Sequence, residues 1–255
     1  CKRAGTYFGL QEGVFRYNHL QKQRNRITMM DKVLQMLKLQ QQLNDATNGE
    51  GWEKRITKNG KLIDWKRCTY LECAELIESY PWKHWKNINA DPDYANIRIE
   101  TVDIWHFIMS QGLEDYKIKR LGTMETLSDD INALSNFSAF DSEITPTAKN
   151  YYEQIETVEG LMRVIFCGES TQKMMESFID VAIQTGLNLD SLYNLYVGKN
   201  ILNQFRQDHG YKEGTYIKVW KGKEDNVIMQ RILDENDEIS PDELYRALEE
   251  AYPEE

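Results

Sequence analysis

Histidine and cysteine are sparse in this 255-residue chain, four of each, and neither set clusters. The scattered histidines disfavour a zinc site, which needs nitrogen or thiolate ligands at short, regular spacing. Cys1, Cys68, Cys73 and Cys167 form no metal-ligand spacing and no disulfide framework, so they read as free thiols of a reducing cytoplasm. No apolar run approaches the roughly 20 residues of a membrane span, and no signal-peptide pattern opens the chain. Basic residues are in deficit: 31 Lys and Arg against 41 Asp and Glu give a net charge of −10. A general nucleic-acid binder would carry a basic face instead. Also missing are a Walker-type loop, a G-x-S-x-G turn and a nucleophile beside a base. What these gaps leave is a soluble, cytoplasmic protein, long enough for one sizeable core or two close-packed lobes.

What the chain does have is paired acids in apolar surroundings. Glu72 and Glu75, then Glu100 and Asp103, stand at i and i+3, so each pair points from one helix face. Leu71, Ala74, Leu76 and Ile77 flank the first pair; Ile99, Val102, Ile104, Trp105 and Phe107 flank the second. An unpaired charge near such a stripe is costly, and four converging carboxylates would repel one another without a cation. Hard oxygen ligands suit Mg²⁺ or Mn²⁺. The spacing by itself fits two amphipathic helices with solvated acids equally well. A di-iron carboxylate bundle would normally place His at i+3, where this chain has Glu75 and Asp103.

In chain order, residues 1–28 carry Lys2, Arg3, Arg16, Lys22, Arg24 and Arg26 against one acid, Glu12, with poor hydrophobic periodicity. They read as an extension outside the native fold, which is expected to start at Met29 or Met30; a basic arm for an anionic partner is the alternative. Val33, Leu34, Leu37 and Leu43 predict a helix from Asp31 that stops at Asn48-Gly49. Gln40 and Asn44 lie one turn apart on it, and amides that donate and accept at once suit a nucleobase edge. Next comes a helix from about Leu62 to Glu78, then Trp82-Lys83-His84-Trp85-Lys86, whose tryptophans three apart would share a helical face as core or as a pocket wall. Asp91-Pro92-Asp93 predicts a helix start with proline in the first turn, running through Trp105, His106 and Phe107. Residues 113–170 are the least informative segment. Helices follow over Gln172–Gln184 and from Asp190, the latter with Leu192, Leu195, Tyr196 and Ile201 as its apolar stripe. On that helix Lys199, Asn203 and Arg206 fall at i, i+4 and i+7; with Tyr211, Lys212 and Lys218 in the glycine-rich stretch beyond, they make a phosphate clamp candidate. Carboxylates for metal and a separate cationic helix are the two halves of a polyphosphate site. Residues 227–255 read as an acidic tail, helical in part.

Several strings then resemble one family. Leu39–Asn44 (LQQQLN), Glu72–Glu78 (ECAELIE), Trp82–Lys86 (WKHWK), Val102–Phe107 (VDIWHF), Tyr196–Asn200 (YVGKN) and Phe205–Tyr216 (FRQDHGYKEGTY) look like the dimeric dUTPases of the all-α nucleoside triphosphate pyrophosphatase superfamily. The likeness spans about residues 30–226 and is weakest over 112–170. It implies an all-α bundle over residues 29–255, working as a homodimer that hydrolyses dUTP and dUDP to dUMP, limiting uracil in DNA and supplying dUMP for thymidylate synthesis. It further implies two or more Mg²⁺ ions per site, replaceable by Mn²⁺, held by Glu72, Glu75, Glu100 and Asp103, with Glu75 orienting or deprotonating the attacking water. By the same resemblance Gln40, Asn44, Trp85 and His106 line the uracil pocket, Asn203 meets the deoxyribose 3′-hydroxyl, and Lys199, Arg206, Tyr211 and Lys218 hold the phosphates. A sister enzyme acting on another nucleotide such as dCTP, and a non-catalytic helical interaction protein, remain alternatives.

Overall fold

Side chains that accept a hydrogen bond from the first turn start most of the helices, satisfying backbone N–H groups that have no intrahelical partner. The computed structural model describes residues 32–86, 90–142, 150–236 and 239–253. The expectations for residues 1–28 and for a start at Met29 or Met30 lie outside these. Helix α1 covers residues 32–48. It is followed by α2 (Trp65–Glu78), capped by Asp64, and α3 (Tyr94–Ile118), capped by Asp93. Then come α4 (Met124–Asn132), α5 (Phe137–Phe140), α6 (Tyr151–Cys167), α7 (Thr171–Gln184) and α8 (Leu189–Asp208). A two-residue hairpin, β1 (Val219–Trp220) and β2 (Lys223–Glu224), precedes α9 (Asp225–Glu235) and α10 (Pro241–Ala251). The fold is all-α apart from this ribbon.

Two expected boundaries move. The helix predicted from Leu62 begins at Trp65, because the Asp64 carboxylate takes the Arg67 N–H. Pro92 is not in the first turn of α3; Asp93 caps it by accepting from Asn96 N, and Pro92 precedes the cap. The stretch Trp82–Lys86 is not helical, so its tryptophans do not share a helix face.

Helices α2 and α3 form an antiparallel hairpin, tied where Asp93 N donates to Ser79 O at 2.9 Å. This brings both acid pairs together. The hairpin, α1, α4–α7 and the first half of α8 enclose the larger apolar core, including Met36, Leu76, Val102, Trp105, Phe178 and Leu192. Gly112, just before the segment that sequence informs least, lies inside α3, where a Cβ would come within 2.5 Å of Met175 Cε. Helix α8 continues into a second core of Leu202, Phe205, Trp220, Ile228, Met229, Ile232, Leu244 and Leu248. Over the stretch read as an acidic tail, residues 227–255, helical in part, α9 and α10 thus dock on α8. Their apolar stripes, with Ile228 and Ile232 one turn apart and Leu244 and Leu248 likewise, give the reason. Gly198 allows the approach, since a Cβ there would stand 2.6 Å from Leu233 Cδ1. Lys199 therefore lies on α8 where the two cores meet.

Candidate active site

Along α1 the buried stripe Val33, Met36 and Leu37 continues as Gln40 and Asn44. Two amides thus enter the interior at positions that would otherwise be apolar, and burial obliges them to find partners. Gln40 Oε1 meets His106 Nδ1 at 2.7 Å and accepts from Tyr196 Oη at 3.1 Å. Gln40 Nε2 donates to Ser110 Oγ at 3.0 Å and to Asn44 Oδ1 at 3.2 Å. All four of its hydrogen-bonding positions are used, so Gln40 holds other residues and has nothing left for a base edge. Asn44 differs: Nδ2 donates to Ser110 Oγ at 3.0 Å and Oδ1 accepts from Gln40, with Ser110 Oγ only 3.4 Å away but directing its proton to His106 O at 2.8 Å; one N–H and one lone pair are then left. Because Gln40 Oε1 is an acceptor, His106 Nδ1 carries the proton. Burial pushes the imidazole pKa down to about 4, so the ring is neutral and Nε2 is a buried acceptor without a partner. Ser110 and Tyr196 were not singled out from sequence as site residues. Ser110 is i+4 from His106 and i+7 from Asp103, which is the signal that could have found it.

Gln40, Asn44 and His106 border a cavity of about 400 Å³ lined also by Trp65 and Phe107, with ring centroids 6.1 Å apart. Trp85 does not line it. It is 62% exposed on the turn after α2, edge-to-face against Trp82 and His84. Trp85, in a non-helical segment, stands apart from this cavity, and Trp65 and Phe107 supply its aromatic surface.

The acids occupy the other end. Glu72, Glu100 and Asp103 each present an oxygen within 4.8 Å of the others. Glu75 is exposed and outside this trio, yet it lines the same adjoining cavity of about 620 Å³. Burial, then the charges of Asp103 and Glu100, hold the Glu72 carboxyl well above the usual carboxylate range; burial and Asp103 do the same to Glu100. Three acids closer than their charges tolerate form a donor set that fits a hard divalent cation.

Lys199, Arg206 and Tyr211 border both cavities, as do Glu72 and Asp103; Asn203 faces the smaller one and Lys218 the larger. Lys199 is buried and donates to Asp103 Oδ2 at 2.7 Å and to Asn226 Oδ1 at 2.9 Å. Arg206 is clamped by a carboxylate that sequence reading missed: Nε and Nη2 each meet an Asp225 oxygen at 2.8 Å, and Nη1 donates to Asn203 Oδ1 at 3.2 Å. Tyr216 Oη adds a third donor to Asp225 at 2.8 Å. Burial would raise the Asp225 pKa, but the Arg206 guanidinium holds it below the usual range. Arg206 and Lys199 are therefore both engaged by protein acceptors in this structure. No periodicity links Asp225, at the start of α9, to α8, so only the fold could reveal the pair. Lys218 is half-exposed and faces Glu224 at 3.3 Å, while Tyr211 lies 5.8 Å beneath the Arg206 guanidinium. Lys212 reaches Ala46 O and Thr47 O, anchoring the glycine-rich loop to the C-terminal end of α1, where a cation is favoured.

A groove with a neutral amide pocket at one end, crowded carboxylates at the other and two buried cations between them can hold a polar heterocycle, a sugar and phosphates in that order. No helix among the described residues is long and apolar enough to cross a membrane. Residues 32–211 match the model of a family described as dUTPase. No curated protein matches the chain.

Proposed function

The chain belongs to this dUTPase family and is a dUTP diphosphatase, and on that premise we propose that it uses Mg²⁺ to hydrolyse dUTP, and also dUDP, to dUMP as a cytoplasmic homodimer. The observation that carries the metal reading is the crowding of Glu72, Glu100 and Asp103 beside two buried cations. Two or more Mg²⁺ ions, or Mn²⁺ in their place, would be held by these acids together with Glu75. When bound, they supply neutralisation of phosphate charge and acidification of the attacking water. Glu75, exposed at the cavity wall, is the carboxylate available to orient that water and accept its proton.

The remaining roles fall to protein groups alone. Asn44 offers one donor and one acceptor to the imide edge of uracil, held in place by Ser110 and Gln40. His106 fixes Gln40 and remains neutral. Asn203, beside Arg206, meets the 3′-hydroxyl. Lys199, Arg206, Tyr211 and Lys218 face the phosphates, where cations favour the charge that develops as the bond to the leaving group breaks. No covalent nucleophile is needed.

The test is an assay of nucleotide monophosphate release from dUTP, dUDP, dCTP, dTTP and UTP, with Mg²⁺ and after chelation. The reading expects turnover of dUTP and dUDP that vanishes on chelation and returns with Mg²⁺. A preference for dCTP would reassign the base pocket, and metal-independent turnover would remove the role given to the acids.

A further inference from the structure

The two buried cations of the groove are held in different ways. Arg206 is locked by two hydrogen bonds to one carboxylate, each 2.8 Å, and that carboxylate also takes the Tyr216 hydroxyl. A planar guanidinium in such a fork has little freedom. Lys199 has a single carboxylate contact, to Asp103 Oδ2 at 2.7 Å, and one amide contact, to Asn226 Oδ1 at 2.9 Å. Its flexible stem ends in a compact charge that can turn to another acceptor. Asp103 is also one of the three acids whose oxygens gather within 4.8 Å. The ammonium thus sits on a carboxylate that a divalent cation would need, and two cations on one carboxylate repel each other at close range.

Lys199 also borders both cavities, so the same side chain that reaches Asp103 is within the space assigned to the polyphosphate. Asn226 Oδ1 lies 2.9 Å from Lys199 Nζ and 3.2 Å from Arg206 Nη2, so it marks the side of the groove on which positive charge already collects.

We infer that Lys199 occupies Asp103 in place of a divalent cation and gives it up when metal enters, turning toward the nucleotide phosphates. The inference rests on the metal reading of the acidic trio. Its consequence is that metal and nucleotide assist each other: metal frees the ammonium that the phosphates attract, and phosphates draw off the ammonium that competes with metal. Such coupling is reciprocal by thermodynamic necessity.

The experiment titrates Mn²⁺ into the metal-stripped full chain and reads free Mn²⁺ by electron paramagnetic resonance. It compares the wild type with Lys199→Met, which keeps length and removes charge. Without nucleotide, Lys199→Met should bind Mn²⁺ at least about fivefold tighter. Adding α,β-imido-dUTP, its own chelation of Mn²⁺ subtracted, should tighten the wild type more than the variant. Mn²⁺ binding to wild type that Lys199→Met leaves equal or weaker overturns the exchange and spares the metal centre. Absence of Mn²⁺ binding to either protein overturns both. Should Lys199→Met fail to fold, the wild type alone decides. Acetylation of Lys199, followed by mass spectrometry, should rise several-fold on adding Mg²⁺ and fall again with the nucleotide analogue; labelling indifferent to Mg²⁺ contradicts the exchange.

Discussion

The two ends of the groove share α3 and α8 and reach opposite electrostatic outcomes. On α3, Asp103, His106 and Ser110 follow one face; on α8, Tyr196, Lys199, Asn203 and Arg206 do the same. At the amide end, neutral groups close on one another: Gln40 bonds one atom each of His106, Tyr196, Ser110 and Asn44 without any ligand. At the carboxylate end, like charges crowd, and Glu72 and Glu100 respond by holding their protons. A neutral polar pocket can be preformed because its donors and acceptors pair internally. A cluster of acids lacks that option and waits for a cation. One end of this site is therefore organised by folding, and the other by what it binds.

That contrast can be broken most forcefully at Glu100. Glu100→Gln should cut dUTP hydrolysis on the order of 10⁴-fold, roughly 5 kcal/mol. It should also raise the melting temperature of the metal-free protein, because it removes a repelling charge. Steady-state rates and thermal melts read both, and a variant as active as the wild type refutes the ligand assignment. Arg206→Ala comes next. It strands the buried Asp225 carboxylate, and breaking a buried pair costs about 3–5 kcal/mol of stability. Activity lost without a change in urea midpoint would mean that Arg206 acts on substrate alone. Removing Asp225 as well, in Arg206→Ala/Asp225→Ala, should restore part of the stability. Gln40→Ala is the mildest. It leaves the His106 Nδ1 proton without an acceptor, while Tyr196 keeps Met36 O and Ser110 and Asn44 keep each other, for about 1–3 kcal/mol of stability, and should raise KM for dUTP while Mn²⁺ affinity stays put. A matching fall in Mn²⁺ affinity would show that the two ends are not separable.

The sequence disclosed the helices and the four acids because both follow a 3.6-residue period that needs no tertiary knowledge. The pairing of Lys199 with Asp103 was foreseeable only as proximity, since the two residues are 96 positions apart in the chain. Arg206 was read as a phosphate ligand, whereas Asp225 engages two of its nitrogens, and nothing in either helix advertised that partner. Gln40 was read as facing a base because amides can; burial among His106, Tyr196 and Ser110 makes it a brace instead. Trp82 and Trp85 were expected on one helical face, and a turn stands there instead. Residues 227–255 were read as an acidic tail, helical in part, and the apolar positions that dock its two helices on α8 were there to be counted.

The most direct measurement of the contrast is the melting temperature of the metal-stripped protein against pH, with and without Mg²⁺. Glu72 and Glu100 have folded pKa values raised above the ordinary 4.5, so the folded state holds protons that the unfolded chain releases. Stability from these groups must fall as pH rises through that interval. His106 works the other way, since its pKa is lowered from 6.5 to about 4, and its contribution grows with pH until about 6.5. Between about pH 6.5 and 8 only the carboxylate effect remains of these three, because the upward shift of Glu72 extends to about 8. The melting temperature should decline across that window without metal, and Mg²⁺ should abolish the decline by replacing the protons. A melting temperature that stays level or climbs from pH 6.5 to 8, and ignores Mg²⁺ throughout, would contradict a carboxylate end that depends on a cation.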